Sequence, residues 1–245
     1  MKRILYSLFL AALVSGFYSC QIDNYTGPDA QISGRIMDPN GNLLQTDQGT
    51  ATSYNVRIQM NELSWAHGDS TIAIIPTYLN VKQDGTYTNT KIFSGQYQMT
   101  PVEGAFYPYD AAGEIVEIKG SVKKDFTVIP YLNVSWVSEP TLTADNKITC
   151  SIQFTRNAKD GVAMPDLSNA RLFISTTQYV GNTNYDSQMS SGTTNLTNTQ
   201  EGTTITLISN VLKYTSETYY VRIGVCCNDS YKKYNYTDIK QVIVP

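Results

Sequence analysis

The sequence predicts an all-β protein made of two consecutive β-sandwiches. Apolar and polar residues alternate in short runs, as strands with one buried face require, and turn-forming residues separate these runs. No segment shows sustained helical periodicity. Charged residues make up only 16% of the chain, while the 18 tyrosines and many threonines favour pleated sheets over helices.

Alternating runs in the first half predict the strands of one sandwich over residues 31–130. These runs are 31–38, 54–60, 78–82, 86–93, 94–99, 114–118 and 126–131. Asp84 and Gly85 lie between the third and fourth runs. Asp-Gly in this position favours a two-residue hairpin turn, because both central residues of that turn must adopt positive φ.

The second half, residues 131–245, predicts another sandwich. Its runs are 132–136, 148–154, 170–175, 204–208, 219–225 and 239–244. Trp136 shares a face with Leu132 and Val134, so we expect it in the core. The parity of the second run also turns Cys150 inward.

The N-terminus predicts an export signal over residues 1–19. Lys2 and Arg3 precede an apolar run, 4–14, that is shorter than the roughly 20 residues a membrane-spanning helix needs. Cys20 follows directly. We expect Cys20 to be the lipidated first residue of a bacterial lipoprotein, with residues 20–30 as a flexible polar leash. Cleavage of an ordinary signal peptide near Ser19 is the alternative.

The composition excludes several classes of function. Loss of Lys2 and Arg3 with the signal takes the net charge from -3 to -5, and without a basic block this argues against nucleic acid. No cysteine pair has metal-finger spacing, and His67 is the one histidine, which we expect on the surface. A zinc site built on histidines therefore cannot form. We expect no catalytic residues, no metal and no cofactor.

Three aromatic residues are candidates for binding a ligand. Trp65 lies in NELSWAHGD, and Tyr107 and Tyr109 lie in the loop GAFYPYDAAGE. Sugars present flat apolar C–H faces and a rim of hydroxyls, so a sugar-binding surface needs exposed rings flanked by amides or carboxylates. Protein interfaces favour the same aromatic residues. Both uses of these residues stay open at this point.

The motifs of the first half resemble a known module. ISGRIMDPNGNLL and QDGTYTNTKIFSGQYQM follow the succession G-x-V-x-D-x-x-G, DG-x-[FY], G-x-Y that marks the transthyretin-like, or carboxypeptidase-regulatory-like, sandwich. The matching positions are Gly34, Asp38, Gly41, Asp84, Gly85, Tyr87, Gly95 and Tyr97. The resemblance implies a structural or binding domain. Transthyretin-like enzymes rely on several histidines, which this chain lacks.

In the second half, LKYTSETYYVRIGV resembles the sixth strand of immunoglobulin-like and fibronectin type III domains. The resemblance makes Tyr219 the expected corner tyrosine. It also implies a disulfide between Cys150 and Cys227, which both face inward, with buried free thiols as the alternative. Cys226 would then face outward or compete for the bridge.

Taken together, Cys20 behind its signal and the stretches DNYTGPDAQISGRIMD and DGTYTNTKIFSGQYQMTPVEGAF resemble a family of Bacteroidetes two-domain lipoproteins of unknown function. The resemblance implies an outer-membrane protein facing the cell exterior, beside a TonB-dependent porin and its lid lipoprotein. Its implied role is non-catalytic binding of a polysaccharide or oligosaccharide during uptake. The alternatives are a structural subunit of the transporter with no ligand of its own, and a pilus subunit that exchanges its C-terminal strand.

Overall fold

The computed structural model describes residues 26–49, 55–69 and 71–245, which form two β-sandwiches in succession and confirm the predicted fold class. The first comprises β1 (Ala30–Met37), β2 (Arg57–Glu62), β3 (Thr77–Asn80), β4 (Thr86–Ile92), β5 (Gly95–Val102), β6 (Glu114–Ile118), β7 (Ser121–Lys123) and β8 (Phe126–Thr127). The second comprises β9 (Leu132–Leu142), β10 (Ile148–Arg156), β11 (Leu167–Ser175), β12 (Thr194–Asn195), β13 (Ile205–Ile208), β14 (Glu217–Cys227), β15 (Tyr234–Tyr236) and β16 (Lys240–Val244). Ser64–Ala66 and Asn198–Gln200 form short 3-10 helices.

Two sheets of the first sandwich enclose one apolar core. One sheet has the antiparallel order β3-β2-β5-β6, and the other has the order β4-β1-β7, with β8 also paired to β1. Alternate residues point inward, as Ile58 and Met60 of β2 and Met99 of β5 do. The opposite parity places polar side chains on the outer face of β2 and β5, which faces the candidate site.

The turn at Asp84 and Gly85 does not form the predicted hairpin. The strands on either side belong to different sheets, because β3 pairs with β2 and β4 pairs with β1. The Gly85 N–H donates to Lys82 O (2.9 Å), and Gly85 has a φ of 78° while Asp84 has no positive φ. Any Cβ at Gly85 would lie 2.7 Å from Leu44 O, so glycine is needed here because the backbone at residue 85 packs closely against the backbone at Leu44.

The second sandwich packs the sheet β13-β10-β9 against the sheet β12-β11-β14-β15, in which β16 also pairs with β14. The C-terminal strand is thus paired within its own sandwich. Trp136 is half-buried rather than fully enclosed: it packs against the edge of the core, and its Nε1 donates to Asp238 O (3.2 Å).

Tyr219 forms the corner that the sequence predicts. Its side chain is fully buried, its hydroxyl donates to Tyr214 O (2.8 Å), and the same hydroxyl accepts from Tyr214 N (2.9 Å). One phenol therefore satisfies two backbone groups of the turn before β14. This bonding confirms the assignment of Tyr219 as the corner tyrosine.

The cysteines of the described ranges, Cys150, Cys226 and Cys227, are all free and buried. Cys150 and Cys227 lie in the core, as predicted, but no bridge joins them. Cys226 lies on the outer face of β14, on the side opposite to Val225 and Cys227, as its parity predicts, but it is buried rather than exposed. The outer face of β14 is covered as well as its inner face, since Arg222 on the same face is fully buried.

Polar contacts join the loop after β1 to the second sandwich. The Nη1 of the fully buried Arg222 donates to Thr46 O (2.9 Å) and to Val180 O (3.2 Å), and its guanidinium lies 3.9 Å from the Tyr236 ring centre. The Tyr236 hydroxyl donates to Asp47 Oδ2 (2.6 Å). Burial lowers the pKa of Arg222 to about 10 and raises the pKa of Asp47. We call Asp47, Arg222 and Tyr236 the interdomain cluster.

The predicted signal over residues 1–19 and the lipidation site Cys20 lie outside the described residues. At the end of the predicted leash, the Asp29 carboxylate accepts hydrogen bonds from Ser94 N (2.8 Å) and Ser94 Oγ (2.9 Å). In the ranges that the structure describes, no helix has the length and apolar character needed to cross a membrane.

Candidate functional site

A groove of about 310 Å³ lies between the two sandwiches. Its floor is the polar outer face of β2 and β5, where Gln59 stands opposite Thr100 and Asn61 stands opposite Gln98 in the ladder. Because the strands alternate, the same backbone that buries the apolar core presents these four side chains to the groove. We call this site the interdomain groove.

Hydrogen bonds orient the amides of the floor. Asn61 Nδ2 donates to Gln98 Oε1 (2.9 Å), and Gln98 Nε2 donates to the Ala112 carbonyl (2.7 Å). The relay fixes the direction in which each amide points. Amides held in this way offer both donors and acceptors, which match the hydroxyl rim of a sugar.

Aromatic side chains from both sandwiches form the walls. Tyr109 is half-buried: its ring meets the Phe126 ring edge-on at 6.1 Å, and its hydroxyl donates to Glu114 Oε1 (2.5 Å). Tyr231 lines the groove from the second sandwich, lies in the loop between β14 and β15 and is 50% exposed. One ring is therefore held in place, and the other is accessible for stacking on a ligand.

The carboxylate behind Tyr109 is not poised for acid catalysis. Partial burial on its own would raise the pKa of Glu114, but hydrogen bonds from Lys124 and Tyr109 outweigh this effect and lower the pKa below its ordinary value. A general acid in glycoside cleavage needs the opposite shift. Glu114 accordingly acts as an anchor for the Tyr109 hydroxyl.

The rim of the groove carries a closed ion pair. Arg57 Nε and Nη2 donate to the two carboxylate oxygens of Glu103 at 2.7 and 2.6 Å, and the guanidinium stacks over the Tyr78 ring at 3.9 Å. Each charge offsets the other, so the pair adds little net charge to the rim. This electrostatic character favours a neutral ligand over a phosphate or a nucleic acid.

Tyr107 was predicted to be an exposed ligand-binding residue, but the structure shows that it is buried and does not line the groove. Its side chain is only 2% exposed, its hydroxyl donates to Asn157 O (2.7 Å), and its ring packs edge-on against Tyr131 at 4.9 Å. Together with Ala105 it belongs to the core of the second sandwich. The loop after β5 folds beneath that sandwich, which buries Tyr107.

Trp65 is 65% exposed but lies away from the interdomain groove. It follows the C-terminal end of β2 in the 3-10 helix Ser64–Ala66 and lines a separate shallow hollow with Ala73, Ile74 and Ile75. Of the three predicted ligand-binding residues, the structure therefore brings Tyr109 alone into the groove.

The described part of the chain contains no group of three or more His, Cys, Asp or Glu side chains arranged to hold a metal ion. His67 is exposed, as expected, and occupies the left-handed region with a φ of 46°.

Sequence reasoning missed the floor residues and Tyr231. The floor could have been found from parity, because Gln59, Asn61 and Gln98 alternate with inward-facing apolar residues. Tyr231 lies in the polar loop CNDSYKKYNY, which carries the same signal as the Tyr107 loop: an aromatic residue between turn formers. Only the fold shows that it lines the same groove as Tyr109.

Two family models match the chain. The "protein of unknown function (DUF3823) N-terminal domain" matches residues 30–129, and the "domain of unknown function (DUF3823_C)" matches residues 137–241. None of the curated proteins compared with the chain matches it.

Solved structures from Bacteroides and Parabacteroides species are similar over 89% of this chain and 100% of their own. A DUF3823 family protein from Bacteroides uniformis is 26% identical with a TM-score of 0.74, and one from Parabacteroides merdae is 21% identical with a TM-score of 0.68. A "putative carbohydrate binding protein" from Bacteroides uniformis is 24% identical with a TM-score of 0.66. The two matched models lie in order along the chain and leave little of it outside them, so this chain belongs to the two-domain DUF3823 family.

Proposed function

We propose that the protein binds a neutral polysaccharide or oligosaccharide in the interdomain groove without catalysing a reaction on it. The observation that carries this proposal is the groove itself: oriented amides of Asn61 and Gln98 form its floor, between the rings of Tyr109 and Tyr231. Sugars fit such a site because rings cover their apolar faces while amides bond their hydroxyls.

The description of the Bacteroides uniformis relative as a carbohydrate-binding protein supports testing carbohydrates first. The fold is shared, and the groove of this chain has the chemistry that such a ligand requires. A neutral rim, set by the Arg57–Glu103 pair, narrows the proposal to uncharged glycans.

We further propose that the protein works as a lipoprotein of the outer membrane, facing the cell exterior beside a TonB-dependent porin and its lid lipoprotein. The support for this part is the sequence pattern that ends in Cys20. Two or three acyl chains on one cysteine would hold the protein to the bilayer, since each buried methylene contributes about 0.8 kcal/mol.

Affinity electrophoresis tests the binding site. The purified chain from residue 21 is run through gels that contain single neutral polysaccharides, and a bound polymer slows migration. Gln98→Ala and Tyr231→Ala should abolish the retardation, whereas Tyr214→Ala, a control tyrosine that is 52% exposed outside the groove, should leave it unchanged. Equal retardation of all three variants would refute the site.

A structural subunit of the transporter is the second candidate. The buried interdomain cluster favours it, because a fixed join between two sandwiches suits a part that bridges other proteins. In that case no polysaccharide would slow the wild-type chain, and the chain would co-purify with the porin from its host.

A further inference from the structure

We propose that the end of the first sandwich nearest the lipid anchor rests on the membrane surface through exposed apolar side chains. The side chains are Trp65, Ile72, Ile75 and Phe93, and we call them the tether-end patch. The inference rests on the lipidation of Cys20 in the proposed function, but it concerns a different surface and a different partner, the headgroup layer of the bilayer.

The patch exposes large apolar side chains that a soluble domain ordinarily covers. Ile75 is 80% exposed, Trp65 is 65% exposed and Phe93 is 48% exposed. Trp65 and Ile75 line the same hollow with Ala73 and Ile74 between them. Adjoining exposed apolar residues mark surfaces that contact a protein or a membrane.

The described chain begins beside this patch. Asp29 is bonded to both the backbone and the hydroxyl of Ser94, the residue after Phe93. The Gln96 N–H donates to Ser64 Oγ (3.2 Å), which places the 3-10 helix of Trp65 against the same turn. The point at which the leash joins the sandwich is thus flanked by Phe93 on one side and Trp65 on the other.

The leash is too short to let the patch move far from the bilayer. Asp29 comes nine positions after Cys20, so nine residue-to-residue steps join them. At full extension they span at most about 32 Å, because each residue lengthens the chain by at most about 3.6 Å. A lipidated Cys20 stays at the membrane surface, so the distance of the patch from that surface cannot exceed about the length of one domain.

This placement puts the second sandwich away from the membrane. Strand β2 begins at Arg57, opposite Val102 near the second sandwich, and ends at Glu62, opposite Tyr97 near the patch. The patch and the second sandwich therefore lie towards opposite ends of the same strand. With the patch on the lipid, the first sandwich separates the second sandwich from the bilayer.

The chemistry of the patch fits the interfacial layer of a bilayer. Trp and other aromatic side chains concentrate at that depth, where one part of the ring is apolar and the indole N–H can donate to a lipid oxygen. Around the patch, the cations Lys91 and Lys119 are outnumbered by the carboxylates of Asp29, Glu62, Asp69 and Glu117. Contact should accordingly depend on apolar burial, with little requirement for anionic lipid and little sensitivity to salt.

Quenching by brominated lipid tests the contact. The chain from residue 21, with a histidine tag in place of the lipidated cysteine, is bound to phosphatidylcholine vesicles that contain nickel-chelating lipid and brominated acyl chains. The Trp136→Phe variant leaves Trp65 as the sole tryptophan. Its emission should shift to the blue and lose intensity, and Ile75→Asp should reverse both changes without altering retention on polysaccharide gels.

Two controls make the result decisive. In the Trp65→Phe variant, Trp136 should remain unquenched, and moving the tag to Pro245 should abolish the quenching of Trp65. Trp65 emission that stays unchanged on the N-terminally tethered vesicles would overturn the inference and leave the proposed glycan site intact. Loss of polysaccharide binding with Trp65 still quenched would refute the proposed function alone. An unmodified Cys20 in protein from its host, shown by mass spectrometry, would overturn the natural tether and the inference with it.

Discussion

The interdomain cluster allows one prediction to be worked through in detail: Arg222→Met should destabilise the protein and uncouple its two sandwiches. Arg222 is fully buried and reaches the Thr46 carbonyl of the first domain from a strand of the second. Methionine has a similar length and no charge, so the substitution removes the interactions of the guanidinium without leaving a large cavity.

The structure sets the size of the effect. The variant loses two charge-assisted hydrogen bonds, worth about 1.5–3 kcal/mol each, and a desolvated cation–π contact with Tyr236, worth about 2 kcal/mol. Against this, Nε and Nη2 of Arg222 are buried without a hydrogen-bond partner among the described residues, and their removal regains about 1–3 kcal/mol each. The midpoints of these ranges leave a net loss of about 2–3 kcal/mol. Asp47 is also left without its neighbouring cation, which adds to this loss, so we expect about 3–5 kcal/mol in total.

Urea unfolding measures this loss, because the chain has one tryptophan in each sandwich, Trp65 and Trp136. Trp136→Phe and Trp65→Phe backgrounds report the first and second domain separately. In the wild type the two transitions should coincide. In Arg222→Met they should separate, with both midpoints lowered.

A double-mutant cycle isolates the pair. Asp47→Asn keeps the acceptor for the Tyr236 hydroxyl and removes the charge, so Arg222→Met in that background should cost about 1–3 kcal/mol less than in the wild type. Arg35→Met, which removes a partly exposed guanidinium paired with Asp125, is the comparison: it should cost less stability than Arg222→Met and show no coupling to Asp47→Asn. A coupling free energy near zero would refute the view that Arg222 and Asp47 act together.

Three further predictions concern stability and thiol chemistry. Tyr219→Phe keeps the buried ring but removes both hydrogen bonds of the hydroxyl, so the free energy of unfolding in urea should fall by about 1–3 kcal/mol; an unchanged value would contradict the corner role. Burial raises the pKa of the thiols of Cys150, Cys226 and Cys227 to about 12, so these thiols should resist a disulfide reagent in the native protein. After unfolding, the chain from residue 21 should titrate as three free thiols, whereas a count of one would show that a bridge forms. The hydrogen bond and charge of Arg35 lower the pKa of Asp125 in the folded protein. The ionised Asp125 therefore stabilises the fold above the ordinary pKa of 3.8, and this stabilisation is lost as the pH falls through the lower folded value. Asp125→Asn should flatten the acid limb of the curve of unfolding free energy against pH, and an unaltered slope would contradict this assignment.

Much of the fold follows from local patterns. Alternation alone places Ile58 and Met60 inward, and the resemblance of LKYTSETYYVRIGV to the sixth strand of immunoglobulin-like domains identifies Tyr219 as a corner residue. Both features depend on residues close together in the chain. Local sequence did not predict how the strands on either side of Asp84 and Gly85 pair. Strand pairing depends on residues far apart in the chain, and two turn residues do not determine it.

The candidate site depends still more on distant residues. Parity shows that Gln98 faces outward, but its place in one groove with Tyr231 depends on packing between segments more than a hundred residues apart. Parity also assigns Cys226 to the outer face of β14, but alternation does not show that this face is covered. Tyr107 was misplaced because a loop pattern does not show that the loop packs into the core of the second sandwich.

The insertion of Ala105 and Tyr107 into the core of the second sandwich bears on how this architecture can be divided. A fragment cut at residue 131 would lack side chains that complete its own interior, and a fragment ending at residue 130 would expose them to water. Exchange of single domains between relatives should consequently yield insoluble chimaeras. The two domains are therefore expected to stay together as one unit during evolution.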